Sequence, residues 1–488
     1  MSRPISAAPQ DVLPILTALL QRQSQATLPF HTPGHQQGRG SSQVIQDLLG
    51  EGLSLDLTEL PGLDYLAAPS GPIAEAQDLA AQTFGSDLTW FLVNGSSVGI
   101  MAALLATVGE GETVLLPRNV HQSAISGLIL SGANPVFINP DWDATWGLAY
   151  PLGAEQVAQG LAAHPEAKAV FLVSPTYEGL CSPLGAIANV VHSYDIPLIV
   201  DEAHGSHLGF HPQLPPSALS QGADVVIQSS HKTLTALTQA AMLHHQGSRI
   251  HGQALSRCLN LLQTTSPSYL LLASLDAARH QIATQGQQHY DQLIGAIADC
   301  WQKLDPLGLP RLDNRLGPMD PTRLTLGTWP LGLTGFALDE WLDQQQKITA
   351  ELPCLRYLTF LWGWGTTAKM LESFSEGINA LMRAYPILRH DPPAAFPLNE
   401  SMLPSISQPH LTPRQGFFAP QESFPLGESI GRISATSLCP YPPGIPLILP
   451  GEVITAGAIA QMEQILEAGG QITGLENHSR KTVSVVMS

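Results

Sequence analysis

Cysteine is scarce in this sequence of 488 residues, and long apolar runs are missing from it. The five cysteines, Cys181, Cys258, Cys300, Cys354 and Cys439, are odd in number and contain no Cys-x-x-Cys pair. They therefore indicate neither a disulfide framework nor a zinc site, and they fit a reducing compartment. No apolar run approaches the length of a membrane span, and the N-terminus has no charged segment followed by an apolar one. We predict a cytoplasmic protein without a metal.

Charged residues are also few, at 13% of the chain, and anions outnumber cations to give a formal net charge of −18. This charge argues against a nucleic-acid partner and favours the approach of a cationic small molecule. The 44% hydrophobic content is that of a globular protein rather than a disordered one. A chain of this length is sufficient for about two to four domains.

Lysine is rare as well, and one of the six lysines follows an apolar stretch. Residues 225–227 are Val-Val-Ile, and Ser-Ser-His-Lys follows at residues 229–232. A buried strand delivers side chains in this way to a site at its carboxyl end. A desolvated amine there loses its proton readily and can bind the aldehyde of pyridoxal phosphate. The alternative is that Lys232 extends from the strand end to solvent.

Two further stretches supply what a pyridoxal phosphate site needs. Pro-Leu-Ile-Val-Asp at residues 197–201 is an apolar strand ending in a carboxylate, which can keep a pyridine nitrogen protonated. Phe-Leu-Val-Asn-Gly-Ser-Ser-Val-Gly at residues 91–99 predicts a strand, a turn and a helix start, where N–H groups and the Ser96 and Ser97 hydroxyls bind phosphate. Such turns are common, so the order of all three stretches carries the prediction.

Apolar strands alternate with helical stretches from residue 55 to about residue 310. We predict strands at residues 90–93, 113–116, 135–138, 169–173, 198–200 and 225–227. The alternation predicts an α/β fold with a mainly parallel sheet covered by helices. Helical spacing also predicts an N-terminal helix at residues 11–22, whose apolar face we expect to pack on a second subunit.

The sequence resembles the bacterial ornithine/lysine/arginine decarboxylases, in particular their short form without an N-terminal wing domain. Besides the Asn-Gly-Ser-Ser and Ser-Ser-His-Lys stretches above, the resemblance is carried by Phe-His-Thr-Pro-Gly-His at residues 30–35, Leu-Thr-Glu-Leu-Pro-Gly-Leu-Asp at 57–64, Pro-Arg-Asn-Val-His-Gln-Ser at 117–123, Ser-Pro-Thr-Tyr at 174–177, Asp-Glu-Ala-His-Gly at 201–205, Thr-Thr-Ser-Pro-Ser-Tyr at 264–269 and Pro-Tyr-Pro-Pro-Gly-Ile-Pro at 440–446. It implies a pyridoxal phosphate enzyme of fold type I, the aspartate aminotransferase-like scaffold.

The resemblance implies catalytic roles for three residues. Lys232 would bind the cofactor aldehyde, Asp201 would pair with the pyridine nitrogen, and His121 would stack on the ring. The implied cofactor contacts are Ser96, Ser97, His121, Thr176, Asp201, Ala203, His204, Ser229, His231 and Lys232. Simpler interpretations remain for some of them: His121 as a helix cap, His231 as packing at a strand end, and residues 264–269 as an N-cap rather than a loop that reaches a neighbouring subunit's phosphate.

The resemblance also implies four units: an N-terminal helix and arm (1–55), a large cofactor-binding domain (56–310), a small α/β domain (311–390), and a linker with a C-terminal decarboxylase domain (391–488). The implied reaction is decarboxylation of a basic L-amino acid to its amine in polyamine metabolism. Arginine to agmatine ranks first, lysine to cadaverine second and ornithine third. The implied active unit is a homodimer or an assembly of dimers.

Two alternative functions remain open, and three residues differ from the family's usual pattern. An aminotransferase or carbon–carbon lyase of the same fold would need a group for the α-carboxylate, for which Arg432 is a candidate. A non-catalytic pyridoxal phosphate protein is the other alternative. Tyr65 and Ala67 stand where the family often has Asp and His, and Thr436 stands where it often has Glu. These departures bear on substrate preference.

Overall fold

The computed structural model describes residues 9–314, 317–387, 410–477 and 481–487. Its centre is a seven-stranded sheet. In sheet order the strands are β1 (Leu88–Leu92), β9 (Ala241–His245), β8 (Val225–Gln228), β7 (Leu198–Asp201), β6 (Ala169–Val173), β2 (Thr113–Pro117) and β3 (Asn134–Ile138). Strand β9 runs antiparallel to its neighbours β1 and β8, and the other strand pairs of this sheet are parallel. The predicted mainly parallel α/β sheet is confirmed, and the six predicted strands lie within two residues of the observed bounds. The seventh strand, β9, was not predicted.

Helices cover both faces of the sheet. One face carries α5 (Gly95–Thr107), α6 (Gln122–Ser131) and α10 (Gly252–Leu262), and the other carries α4 (Pro72–Phe84), α7 (Ala154–Ala163), α8 (Leu184–His192) and α11 (Tyr269–Leu304). Successive residues of a strand enter opposite cores: Ile199 packs in one, and Leu198 and Val200 pack in the other. Burial on both faces explains why these strands are continuous apolar runs rather than alternating ones.

Smaller elements surround this sheet. The N-terminal region contains α1 (Pro14–Ser24), α2 (Gln43–Leu49) and α3 (Gly52–Leu55). Strands β4 (Trp142–Asp143) and β5 (Leu148–Ala149) form a hairpin. The short helix α9 (Ser230–Thr233) follows β8. A second sheet has the order β10 (Arg323–Gly327), β12 (Tyr357–Leu361), β11 (Leu352–Pro353), and packs with α12 (Gly335–Gln346) and α13 (Ala368–Ala384). The C-terminal part contains α14 (Pro413–Phe418), β13 (Gln421–Pro425), β14 (Cys439–Tyr441), α15 (Ala456–Glu467), β15 (Gln471–Thr473), β16 (Leu475–Asn477) and β17 (Thr482–Val486).

The N-terminal helix exists, but its predicted neighbour is wrong. The apolar residues Ile15 and Leu19 of α1 are 1% and 0% exposed within this single chain. The Ile15 N–H donates to Asp276 Oδ2 on α11 at 3.0 Å. The sequence pattern shows that a helix has a face to bury, but it does not show which surface covers that face.

The predicted domain boundaries stay predictions. The proline-rich linker proposed from residue 391 falls largely on residues 388–409, which lie outside the described part of the chain. Among the residues described, no helix has both the length and the apolar character that crossing a bilayer would require.

Candidate active site

One cavity of about 500 Å³ opens at the carboxyl ends of the central strands. All ten predicted site residues line it: Ser96, Ser97, His121, Thr176, Asp201, Ala203, His204, Ser229, His231 and Lys232. They follow β1, β2, β6, β7 and β8, whose carboxyl ends meet at one edge of the sheet. Residues 440–443 and 445–447 form part of the opposite wall.

Lys232 lies on the short helix α9, directly after β8. Its Nζ is 2.9 Å from His204 Nε2 and 5.5 Å from the centre of the Tyr177 ring. Burial lowers the pKa of Lys232, while the charges of Asp201 and Glu351 act to raise it. The net result is an amine that gives up its proton more readily than an exposed lysine does.

Asp201 is the last residue of β7 and is 4% exposed. Its Oδ1 accepts a hydrogen bond from the Ala203 N–H at 3.0 Å. Burial raises the pKa of Asp201 to about 6, and the charge of Lys232 opposes that rise. The carboxyl group is therefore mainly ionised at neutral pH and is available to a cation in the cavity.

His121 both caps a helix and lines the cavity. Its Nδ1 accepts from the Ser123 N–H at 3.2 Å at the start of α6, so the capping interpretation holds as well. Burial, and then the charge of Lys232, lower the pKa of His121 to about 4. The ring is neutral at pH 7 and suited to stacking. Gly444, at φ +86°, lies so close that a Cβ there would be 2.8 Å from His121 Nε2.

The start of α5 forms a cradle for an anion. Asn94 precedes the helix without making a side-chain cap, so no capping side chain occupies the first-turn N–H groups. Ser229 Oγ donates to Ser96 Oγ at 2.7 Å, which joins the end of β8 to this helix. His231 lines the same cavity, and its Nδ1 is 3.0 Å from the Ala240 carbonyl oxygen. These groups suit a phosphate.

An ion pair holds the C-terminal wall of the cavity against the sheet. Arg118 follows β2, and its guanidinium binds both carboxylate oxygens of Glu452, at 3.2 and 2.8 Å. The same guanidinium donates to the carbonyl oxygens of Pro446 and Leu447 at 2.9 and 3.1 Å. Arg118 is 2% exposed. Since removal of one partner of such a buried pair is costly, this contact fixes the wall.

Comparison with known proteins agrees with this geometry. The family model described as "Orn/Lys/Arg decarboxylase, major domain" matches residues 13–315, and the family's C-terminal domain matches residues 398–479. The arginine decarboxylase of Bacillus subtilis is 36% identical, over 98% of both chains. The lysine decarboxylase LdcA of Pseudomonas aeruginosa is 28% identical, over 93% of this chain and 76% of that protein. The crystal structure of Francisella novicida lysine decarboxylase LdcF has a TM-score of 0.82 at 22% identity, over 98% of this chain and 82% of that one.

The chain belongs to the Orn/Lys/Arg decarboxylase family. It is thus a decarboxylase on the fold type I scaffold, as the resemblance implied.

The site of this Orn/Lys/Arg decarboxylase fits pyridoxal phosphate. The start of α5 and the hydroxyls of Ser96, Ser97 and Ser229 suit its phosphate, and the buried carboxylate of Asp201 suits its pyridine nitrogen. Lys232 offers an amine in the same cavity. Ala203 lines the cavity with a methyl group only, so it takes up little of the cavity's volume.

Sequence reasoning missed two residues of the site. Arg323, the first residue of β10, is fully buried and contacts His204. Glu178 lines the cavity and accepts a hydrogen bond from Tyr357. Glu178 directly follows the recognised Ser-Pro-Thr-Tyr motif, which was a usable signal. Arg323 comes from the second sheet, and no local pattern connects it to the site.

The suggested role of Arg432 is wrong for this chain. Its Nη1 binds Glu422 Oε1 at 3.0 Å, its guanidinium lies 3.6 Å from the centre of the Phe424 ring, and it does not line the cavity. The departures Tyr65, Ala67 and Thr436 are not among the lining residues either. Their side chains therefore form no part of this cavity's wall within the described chain.

Proposed function

We propose that this family member uses pyridoxal phosphate to remove the α-carboxyl group of a basic L-amino acid, with arginine as the first candidate. The observation that carries the proposal is the convergence of Lys232, Asp201 and His121 on one cavity that also contains a phosphate cradle. When bound, pyridoxal phosphate accepts the electron pair that departing carbon dioxide leaves on the substrate's α-carbon.

Each residue has a defined task in this proposal. Lys232 would hold the cofactor through its aldehyde, for which its readily deprotonated amine is suited. Asp201 holds the proton on the pyridine nitrogen. The neutral His121 ring would pack on the cofactor ring, and the small Ala203 side chain would leave space for it. Residues 440–443 and 445–447, held by Arg118, exclude water from the reacting carbon.

Glu178 is our candidate for binding the distal cation of the substrate. Among the described residues that line the cavity, the carboxylates are Asp201 and Glu178, and Asp201 is assigned to the cofactor. Glu178 is buried, and its Oε1 accepts from the Tyr357 hydroxyl at 2.6 Å, which fixes its orientation. A buried, oriented carboxylate is the group that a guanidinium or ammonium requires.

Arginine is placed first because the Bacillus subtilis relative that matches at 36% over nearly the whole chain is named an arginine decarboxylase. Lysine follows on the weaker match to LdcA, and ornithine ranks third. The test is to incubate the purified protein with each amino acid separately and to identify the carbon dioxide and the amine. Agmatine, an entry to polyamines, is the expected product. A keto acid instead of an amine would indicate an aminotransferase, and no turnover at all would indicate a non-catalytic protein.

Replacement of Glu178 by glutamine should raise KM for the basic substrate by tenfold to a hundredfold, because a hydrogen bond between charged groups contributes about 1.5–3 kcal/mol. The measurement is steady-state kinetics with arginine and with norleucine, which has no distal cation. The exposed Glu166→Gln is the control, and we expect its KM to be unchanged. An equal effect of Glu178→Gln on both substrates would contradict a role in binding the distal cation.

We further propose a homodimer that completes each site. Residues 28–49 expose several apolar side chains, with Leu28 at 72%, Phe30 at 88%, Val44 at 74% and Leu48 at 73%. Helix α2 has no buried residue within this chain. Exposure of this extent is typical of a surface that another subunit covers. The Ser268 hydroxyl caps α11, whereas Thr264 to Ser266 are exposed and available to a partner.

The double substitution Phe30→Glu and Leu48→Glu should convert the dimer into monomers, because two charges would be placed in an apolar contact. Sedimentation velocity should show the mass fall by half, with loss of turnover. Met370→Glu, at a residue 56% exposed on α13, is the control for a charge on an exposed apolar site. A double variant that remains dimeric would exclude this surface as the interface, and an active monomer would exclude a shared site.

A further inference from the structure

A chain of contacts leads from the second sheet to the lysine of the site. Arg323 Nη2 is 3.0 Å from His204 Nδ1, and His204 Nε2 is 2.9 Å from Lys232 Nζ. Arg323 and His204 are 0% and 4% exposed, so bulk water does not supply alternative partners. Within the described residues, Nε and Nη1 of Arg323 have no hydrogen-bond partner. Among the described residues, the contact with His204 is therefore the one hydrogen bond of the Arg323 guanidinium.

The chemistry of these groups fixes the direction of both contacts. A guanidinium keeps its protons at any ordinary pH and only donates hydrogen bonds. His204 Nδ1 must therefore be the acceptor, and the proton of the neutral ring is on Nε2. The Nε2–H then faces Lys232 Nζ, which can accept it only through the lone pair of an uncharged amine. An ammonium group at that position would place donor against donor.

We propose that Arg323 is a positioning residue that fixes the tautomer of His204 and thereby holds the Lys232 amine unprotonated. The inference deepens the proposed function, because it assumes that Lys232 is the reactive amine. It explains how the Lys232 amine stays unprotonated although the charges of Asp201 and Glu351 favour its ammonium form.

Groups from several elements face or act on Lys232. They are Asp201 at the end of β7, His204 after β7, His231 on α9, His121 after β2, Tyr177 after β6, Arg323 on β10 and Glu351 before β11. Burial is the largest influence, and it lowers the pKa of both Lys232 and His204. Asp201 and Glu351 oppose this for the lysine, whereas Arg323 adds to it. The neutral forms of both partners agree with the geometry.

The surroundings of Arg323 are built to hold it in place. Its Nε is 3.8 Å from Asp320 Oδ2, and Asp320 also contacts His207 Nε2 at 3.1 Å. Although burial acts to raise the pKa of Asp320, His207 and Arg323 lower it to about 2, so it is an anion. Gly179, at φ +95°, packs on the arginine stem so closely that a Cβ would be 2.8 Å from Arg323 Cγ. A side chain at residue 179 would displace the guanidinium.

The test measures the protonation of Lys232 directly. The full-length chain is freed of bound aldehyde with hydroxylamine, acetylated with trace acetic anhydride over a pH series, and analysed by peptide mass spectrometry. Lys232 should react with a midpoint below that of the exposed Lys168. Arg323→Met should raise the Lys232 midpoint by about one pH unit or more, which is about tenfold less labelling below both midpoints. Arg323→Lys keeps an obligate donor and should keep a low midpoint.

A double-substitution cycle separates action through His204 from simple charge repulsion. If Arg323 acts through His204, adding Arg323→Met to His204→Ala should shift the Lys232 midpoint no further. Direct repulsion between the charges of Arg323 and Lys232 would instead give additive shifts. Gly179→Ala displaces Arg323 without removing it and should shift the Lys232 midpoint in the same direction. This variant replaces Arg323→Met in the test if Arg323→Met does not fold. Arg249→Met is the control for loss of an arginine in an ion pair.

The outcomes distinguish the two proposals. A Lys232 midpoint that is unmoved in Arg323→Met, or additive shifts in the cycle, would overturn the role of Arg323 and leave the proposed function intact. A pyridoxyl label on another lysine would overturn the proposed function, and the titration of Lys232 would still report on the contact chain.

Discussion

Lys232→Ala should abolish decarboxylation, with turnover reduced by at least about a thousandfold, because the nucleophilic amine and its proton-transfer capacity are lost together. The substitution removes an amine at the end of β8 whose Nζ contacts His204. The measurement is carbon dioxide release per subunit. In the unmodified protein, borohydride reduction followed by peptide mapping should place a pyridoxyl group on Lys232.

Lys168→Ala is the matched control, since Lys168 is exposed on the surface of the same domain. Its turnover should equal that of the unmodified protein. Retention of more than a tenth of the original rate in Lys232→Ala, or a pyridoxyl group on any other lysine, would remove Lys232 from the assigned role.

Asp201→Asn should leave the cofactor bound and slow decarboxylation by several orders of magnitude. A neutral amide does not hold the proton on a pyridine nitrogen, and each unit of lost pKa support is worth about 1.4 kcal/mol in the reaction barrier. Single-turnover kinetics of the cofactor-loaded variant measures the effect. Glu202→Gln is the control: Glu202 binds the Ala218 N–H and Gln228, does not line the cavity, and should retain turnover when neutralised.

The same substitution should stabilise the protein when no cofactor is bound. Burial raises the pKa of Asp201 from 3.8 to about 6. The folded state therefore holds its proton more tightly than the unfolded state, and stability is lost as the pH rises through this window. At pH 7 the ionised Asp201 carboxylate lowers the free energy of unfolding by roughly 3 kcal/mol. An asparagine at this position carries no charge and should restore that stability. The measurement is the melting temperature of Asp201→Asn and of the unmodified protein at pH 7, both without cofactor. Equal values, together with normal turnover of the loaded variant, would show that Asp201 is not the buried anion of the site.

Six of the seven strands of the central sheet were predictable, because the inner parallel strands are buried on both faces and therefore read as apolar runs. The antiparallel strand β9 contains two histidines and was missed. The runs at residues 169–173 and 225–227 are short, apolar and rich in β-branched residues, which leaves little room for another interpretation. The site followed from topology, since parallel strands present their carboxyl ends at one edge. Lys232 and Asp201 were therefore expected to lie together before any distance was known.

Contacts made by tertiary packing were beyond reach of the sequence. Helix α11 extends to Leu304 through many polar residues, because Tyr290, Leu293 and Ile297 continue its buried face. Arg323 looks like an ordinary residue at the start of a strand, and its contact with His204 depends on how the second sheet packs on the first. The same holds for α1, whose partner surface was assigned to the wrong molecule.

The ion pair between Arg118 and Glu452 sets an order of events during synthesis. Ribosomes release the N-terminal part first, so His121, Asp201 and Lys232 emerge well before Glu452. Until then the cavity has only one wall, and the Arg118 guanidinium has neither its carboxylate nor the two carbonyl oxygens that it binds in the finished chain. A nascent chain thus possesses the reactive groups but leaves them open to water. We expect activity to begin only when translation has passed Glu452, because Arg118 then gains the partner that holds the C-terminal wall against the sheet.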